Sequence, residues 1–470
     1  MKIKHFDVEI DPAHPFKECK LGREPNADVL TKLVGKYEDG FVLAINSEWG
    51  TGKTTFVKMW QQQLIIEGYT TIYFNAWEND FEVNPLIAIM AEFDGLTKSE
   101  SKKTFKSLVE KGAVLTKNII PQLIKAAASK YIDTAVLVDL IENTAKGAAD
   151  IFESEIKSYA SKKAGLKEFR SDLTKFIQKS SNGKPIIFIV DELDRCRPNY
   201  SVEVLEHIKH IFLVPGIVFV LSIDKTQLGH AVRGVYGSEL MDANEYLRRF
   251  IDVEYTLPQP DAKVFCKYLF RYFEFQQFFY SDKRKQFSEF QSDSEDLNAI
   301  TTNLFDKASI TLRQQEKIFA HTRIAILFCG PDHYIFPDLF LMLVFLKIVH
   351  TDFYNEMRRK MFTASELISK FSEFIPKNID EFEMRNFIRV EAKLVFFYNN
   401  YISERRSRTL ITVNKETGES ECSLKSNLTG NGDQHAFLNT ILYLAKNHQF
   451  QDLSITYLLT KIELTGNIQI

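Results

Sequence analysis

Ser47-Glu48-Trp49-Gly50-Thr51-Gly52-Lys53-Thr54 decides how this chain is read. It follows the apolar run Phe41-Val42-Leu43-Ala44-Ile45, whose pattern predicts a strand. It precedes Thr55-Phe56-Val57-Lys58-Met59-Trp60, whose pattern predicts a helix. Strand, small-residue loop, Gly-Lys-Thr and helix, in that order, make a phosphate-binding loop, the Walker A element. Small residues let backbone N–H groups curl around phosphate oxygens, and the helix N-terminus adds the positive end of its dipole. The chemistry assigns Lys53 to the β- and γ-phosphates and the Thr54 hydroxyl to Mg²⁺. Glu48, Trp49, Gly50, Thr51, Gly52, Lys53, Thr54 and Thr55 are the expected nucleotide contacts. One position departs from the pattern: Ser47 stands where a Gly relieves backbone strain.

Working outward, Lys184-Pro185 leads into Ile186-Ile187-Phe188-Ile189-Val190 and then Asp191-Glu192-Leu193-Asp194-Arg195. Five apolar, mostly β-branched residues predict a buried parallel strand. An acidic pair is more often a helix cap or a solvated face. Here it ends a hydrophobic strand in a chain that already carries Gly-Lys-Thr, and so reads as Walker B. Asp191 is placed to hold Mg²⁺, and Glu192 to orient or deprotonate the attacking water.

The chain has 470 residues, room for two or three domains, and its 45% hydrophobic and 13% aromatic content describes a folded globular protein. A net charge of −3 argues against wholesale nucleic-acid binding, which calls for a strong basic footprint; a local basic groove stays open. The 39 Phe point to a Phe-heavy helical core or a compositional bias rather than a stacking platform. Cys19, Cys196, Cys266, Cys329 and Cys422 lack metal-ligand spacing, so neither zinc nor disulfides are expected. The N-terminus lacks the apolar stretch of a signal peptide. The longest apolar run, Leu339 to Leu346, is far short of the ~20 residues a bilayer needs. A cytoplasmic location is the expectation.

Along the chain, Val29, Leu30, Leu33 and Val34 recur at helical spacing, and Thr71-Ile72-Tyr73-Phe74 predicts a second strand. Asp191 lies 138 positions beyond Lys53, a long gap for two catalytic elements of a compact core. It implies a helical insertion, and Leu166, Phe169, Leu173, Phe176 and Ile177 then form a helical stripe feeding the Walker B strand. Gly216 to Leu221 predicts another buried strand. At its end, Ser222-Ile223-Asp224 is either a γ-phosphate contact or a strand-ending turn. Thr409 to Val413 and Glu419 to Leu424 suggest a small hairpin. The expected organisation is residues 1–94 for the first part of the NTPase core and 95–165 for the insertion. Residues 166–260 complete the core, 261–330 form a helical lid, and 331–470 form a mainly helical region with a small hairpin.

Asp191-Glu192-Leu193-Asp194-Arg195-Cys196-Arg197-Pro198, together with Phe74-Asn75-Ala76-Trp77 and the Trp-bearing loop Glu48 to Thr54, resembles the KAP family of P-loop NTPases. The resemblance covers residues 20 to 330. It departs at Glu192, where the family usually has Asp, and in the insert, which lacks the transmembrane helices of many members. It implies an α/β fold, the P-loop NTPase core of the additional-strand, catalytic-glutamate type, with a mostly parallel sheet. It further implies ATP as substrate with Mg²⁺, hydrolysis coupled to conformational switching, and kinship with bacterial phage-exclusion and antiphage-defence proteins rather than animal membrane scaffolds.

Phosphoryl transfer needs cations as charge develops. Arg195 and Arg197 follow the acidic pair, Arg249 precedes a predicted strand as finger residues do, and Arg313 resembles the second sensor arginine of a helical lid. A surface salt bridge is the plain alternative for each. Arg405, Arg406 and Arg408 form a basic cluster, a solvated face or a contact for nucleic acid or an acidic partner. Arg23 and Asn26 are candidates for the base pocket. The favoured function is an ATPase switch or motor acting on a protein partner of a multi-gene defence system, as a homo-oligomer. The alternatives are a nucleotide-gated scaffold that docks partners through its helical half with little turnover, and a small-molecule kinase.

Overall fold

The computed structural model describes residues 9–36, 39–82, 84–119, 148–238, 240–307, 310–403, 410–413, 420–428 and 434–464. They form two compact units divided between Pro258 and Gln259.

The first unit is built on a five-stranded parallel sheet. Its strands are β1 (Phe41–Asn46), β2 (Thr71–Asn75), β3 (Ile186–Asp191), β4 (Ile217–Ile223) and β5 (Val253–Thr256), in the order β2-β3-β4-β1-β5. All four pairings are parallel. The strand after Walker B therefore lies between the Walker A and Walker B strands, which is the additional-strand arrangement.

Side chains alternate across each strand, so each strand feeds two cores. Val42, Ala44, Phe74, Ile186, Phe188, Val190, Phe219 and Leu221 face one side. There they meet Phe93 of α3 (Pro85–Asp94), Leu108 of α4 (Lys102–Ile119) and Phe169, Leu173 and Phe176 of α5 (Ala148–Ser180). Phe41, Leu43, Ile45, Ile187, Ile189, Val218 and Val220 face the other side. They meet Leu30 and Val34 of α1 (Glu24–Val34) and Phe56, Val57 and Trp60 of α2 (Lys53–Ile66). Burial on both faces is why these strands read as continuous apolar runs. The stripe expected from Leu166 to Ile177 lies on α5, a helix of 33 residues. In α1, Val29 points to solvent, and Ala27 and Thr31 take its place in the core.

After β3 come α6 (Pro198–His207), a π-helical turn over Ile208–Phe212, α7 (Lys225–Tyr236) and the short α8 (Ala243–Leu247). Helix α6 thus passes into a wider, π-helical pitch at Ile208.

The second unit is mainly helical. Its elements used below are α9 (Ala262–Tyr272), α10 (Phe275–Phe279), α11 (Asp293–Lys307), α12 (Leu312–Ile326), α13 (Pro337–Val349), α14 (Thr351–Arg358), α15 (Ala364–Glu373) and α16 (Glu381–Ile402). Leu339 to Leu346 lie on α13 and are buried on every side, the reason the run has no polar face. Phe residues knit this unit: Phe275 meets Phe319 edge-on at 5.6 Å and stacks on Phe270 at 5.4 Å. The hairpin pairs β6 (Ile411–Val413) with β7 (Ser420–Cys422) antiparallel. No helix among the described residues is long and apolar enough to cross a membrane. The Arg405, Arg406 and Arg408 cluster falls outside the described residues.

Candidate nucleotide site

Register places the two motifs at one edge of the sheet. Asn46, the last residue of β1, pairs with Ile223, and Asp191, the last of β3, pairs with Ser222. Both motifs therefore leave from the C-terminal ends of strands separated by β4 alone, a span of ~10 Å. Open parallel sheets bind ligands at that edge.

The loop is fixed by its own bonds. The Ser47 N–H donates to the Ile223 carbonyl at 3.1 Å. Ser47 Oγ donates to Thr51 Oγ1 at 2.8 Å, and Thr51 Oγ1 donates to the Glu48 carbonyl at 2.8 Å. Ser47 has no positive φ, so the missing Gly imposes no strain. The left-handed residues are Gly50 (φ 76°) and Gly52 (φ 81°), where a side chain would be strained. Gly52 opens α2 with no side-chain cap, which leaves the first-turn N–H groups directed at the loop. Thr54 and Thr55 are half-buried on that turn, and the Thr54 hydroxyl has no hydrogen-bond partner among the described residues.

Lys53 Nζ donates to the Glu48 carbonyl at 2.9 Å and to the Ser47 carbonyl. Burial lowers the Lys53 ammonium, and the carboxylates of Asp194, Asp224 and Asp191 oppose that fall. Three acidic groups thus act on one buried cation. Trp49 is pinned at both ends: its N–H donates to Asp224 Oδ2 at 3.2 Å, and its indole Nε1 to Asp194 Oδ2. Asp224 Oδ1 also caps α7, accepting from Thr226 and Gln227 N–H at 3.1 and 3.2 Å. The strand tip is therefore engaged as a helix cap and loop anchor, while the buried Ser222 Oγ has no partner among the described residues.

Asp191 is buried. It accepts from Tyr73 Oη at 2.9 Å and from the Glu192 N–H at 3.0 Å. Glu192 sits in the left-handed region (φ 60°), a conformation a Glu adopts only at a cost of ~1 kcal/mol or more. Its Oε1 pairs with Arg195 Nη1 at 2.6 Å and its Oε2 accepts from Asn75 Nδ2 at 3.2 Å. Burial raises the Glu192 carboxyl, and Arg195 opposes that rise. Arg195 also lies over the Trp77 ring at 5.6 Å. Arg197 is taken by Asp80, at 2.7 Å.

Arg23 is almost fully buried behind the loop. Its Nη1 donates to the Gly52 carbonyl at 3.3 Å, while Nε and Nη2 have no partner among the described residues. Burial pulls its guanidinium down to about 10. Asn26 Nδ2 donates to Tyr255 Oη at 2.6 Å. Arg249 follows α8; it is exposed and its guanidinium makes no ion pair among the described residues. Arg313 is on the exposed first turn of α12, in the second unit.

Sequence reasoning missed four functional contacts: Asn75 and Tyr73 from β2, and the Asp194 and Asp224 anchors of Trp49. Asn75 was visible within Phe74-Asn75-Ala76-Trp77. Its pairing with a residue 117 positions away was not.

Fold and site define a P-loop NTPase with the additional strand, a class that binds nucleotides. The chain belongs to the KAP family: the KAP family P-loop domain matches residues 23–324. It is similar to the phage T7 exclusion protein of Escherichia coli strain K12, 30% identical over 76 residues. That match spans 16% of this chain and 10% of that protein. Among solved structures, it aligns with the Aeropyrum pernix ORC2 protein (ADPNP-ADP complexes) at a TM-score of 0.34 and 13% identity, over 90% of this chain and 94% of that one.

Proposed function

We propose that this chain binds ATP with Mg²⁺ and hydrolyses it, using the cycle as a conformational switch on a protein partner. The observation that carries the reading is Lys53 held inside the loop by the Ser47 and Glu48 carbonyls, with Asp194 and Asp224 bonded to Trp49 of the same loop, beside a Walker B Glu192 held by its own two partners. Lys53 bonds the β- and γ-phosphates, and the N–H groups from Trp49 to Thr55 cradle them. The free Thr54 hydroxyl and the buried Asp191 carboxylate are a hard oxygen donor set, which fits Mg²⁺. When bound, the ion neutralises charge on the β- and γ-oxygens. Glu192 accepts the proton of the attacking water as its oxygen bonds to the γ-phosphorus. The bridging bond to the β-phosphate breaks, and ADP leaves. Arg249, exposed and without an ion pair among the described residues, suits a finger supplied to a neighbouring copy, and Arg313 suits the sensor of the helical lid. The short match to a phage-exclusion protein favours a role in antiphage defence, which we place in the cytoplasm and within a multi-gene system.

A second reading, a nucleotide-gated scaffold with little turnover, is favoured by one observation: both oxygens of Glu192 are already engaged. Phosphate release, ATP binding and native mass with and without ATP·Mg²⁺ separate the two. The switch reading expects turnover in the wild-type chain, weak ATP binding in Lys53→Ala, and tight ATP binding without turnover in Glu192→Gln. No phosphate release from the wild-type chain favours the scaffold. Measurable wild-type turnover that Glu192→Gln matches moves the base to Asp194.

A further inference from the structure

Helix α9 places Lys263, Lys267 and Arg271 at every fourth position, one stripe on a single face. At 1.5 Å per residue the stripe is ~12 Å long. None of the three makes an ion pair with another described residue, although like charges at this spacing repel. The stripe borders a cavity of about 560 Å³ walled by α9, α10, α11 and the first turn of α16. Cavities of a few hundred Å³ with a mostly apolar lining and a few polar groups are the usual form of a small-molecule site. Here Cys266 and Phe270 supply buried apolar wall. Asn303 lines the cavity at 7% exposure, and its amide has no hydrogen-bond partner among the described residues. Gln276 adds a second amide without a partner among them. Glu383 is the one carboxylate in the wall, so the lining is strongly cationic.

We infer that this cavity binds a phosphorylated small molecule of nucleotide size, at residues separate from the phosphate-binding loop. Phosphates lie along Lys263, Lys267 and Arg271, whose spacing suits more than one phosphate group. A planar ring lies against Phe270, and the amides of Asn303 and Gln276 take its polar edge. Glu383 accepts from hydroxyl or amino groups of the same ligand. Walls from four helical elements make a short, partly open pocket, which suits a small molecule better than a running nucleic-acid strand.

The test is calorimetric titration of the full chain carrying Lys53→Ala, so that the loop does not dominate, with ADP and separately with inorganic tripolyphosphate. Lys53→Met replaces it if Lys53→Ala fails to fold. One site per chain is expected. Adding Lys267→Gln and Arg271→Gln should weaken it at least about tenfold, with the melting temperature unchanged. Asn303→Leu should weaken ADP more than tripolyphosphate. Failure of both ligands to bind overturns the inference, as does unchanged affinity in the double Gln variant. Tighter binding of a single-stranded oligothymidine than of ADP, through the same two residues, overturns it in favour of nucleic acid.

Discussion

Arg195 Nη1 lies 2.6 Å from Glu192 Oε1, while Asn75 holds the other oxygen of the same carboxylate. The carboxylate we propose as the base is thus tied to a cation three residues further along, and that cation leans on the exposed Trp77 ring. Arg195→Ala removes the charge that opposes the burial-driven rise of Glu192, so the Glu192 carboxyl should rise further. For an acid acting as a base, this moves the acidic limb of the kcat–pH profile to higher pH. Above that limb, basal phosphate release should increase because the carboxylate is no longer sequestered. Slower release above the limb means that the pair holds Glu192 in its working position.

Ser47 uses its side chain to brace the loop through Thr51, with no left-handed backbone to relieve. Ser47→Gly therefore removes one buried hydrogen bond and adds chain freedom. It should lower stability by about 1–2 kcal/mol. ATP affinity should stay within a few-fold of wild type. Denaturant melts and a nucleotide titration check both halves; a gain in stability would show that Ser47 is strained after all.

Arg23 is a buried guanidinium whose single bond among the described residues goes to the Gly52 carbonyl. A buried charge without a counter-charge is costly, and an apolar residue of similar volume is often neutral or stabilising. Without nucleotide, Arg23→Met should melt at or above the wild-type temperature. A clear fall would mean that the Gly52 contact outweighs the cost of burial.

Glu391 on α16 is fully buried, and neither carboxylate oxygen has a hydrogen bond of good geometry among the described residues. Burial pushes its carboxyl up to about 7 from the ordinary 4.5, with Ser426 and the Asn427 N–H opposing only in part. A folded value above the unfolded one gives stability that is complete below about 4.5 and is lost as pH rises through about 7. The size is about 3 kcal/mol. Melting temperatures taken from about pH 5 to about pH 8 should fall in the wild type and fall less in Glu391→Gln. Parallel curves would mean that Glu391 is not the group responsible.

The Walker elements were legible because each is local. A strand, a loop of small residues and a helix lie within about two dozen consecutive residues, and an acidic pair sits at the end of an apolar run. Lys53, Asp191, Glu192, the strands β1 to β4 and the α5 stripe followed from that periodicity and spacing. The family resemblance rests instead on three short motifs. Even the buried α13 was visible as an unbroken apolar run, although its place in a packed helical unit was not.

What only the tertiary structure decided is which distant residues share the edge of the sheet. Inserting β4 between β1 and β3 is a matter of strand order, and no local pattern encodes it. From that order follow the bonds of Trp49 to Asp194 and Asp224, and of Asn75 to Glu192, across separations of 145, 175 and 117 residues. The burial of Arg23 and Ser222 likewise depends on what packs over them. Side-chain chemistry is written residue by residue, but burial and partnership are properties of the packed whole, which is why the motifs spoke early and their partners did not.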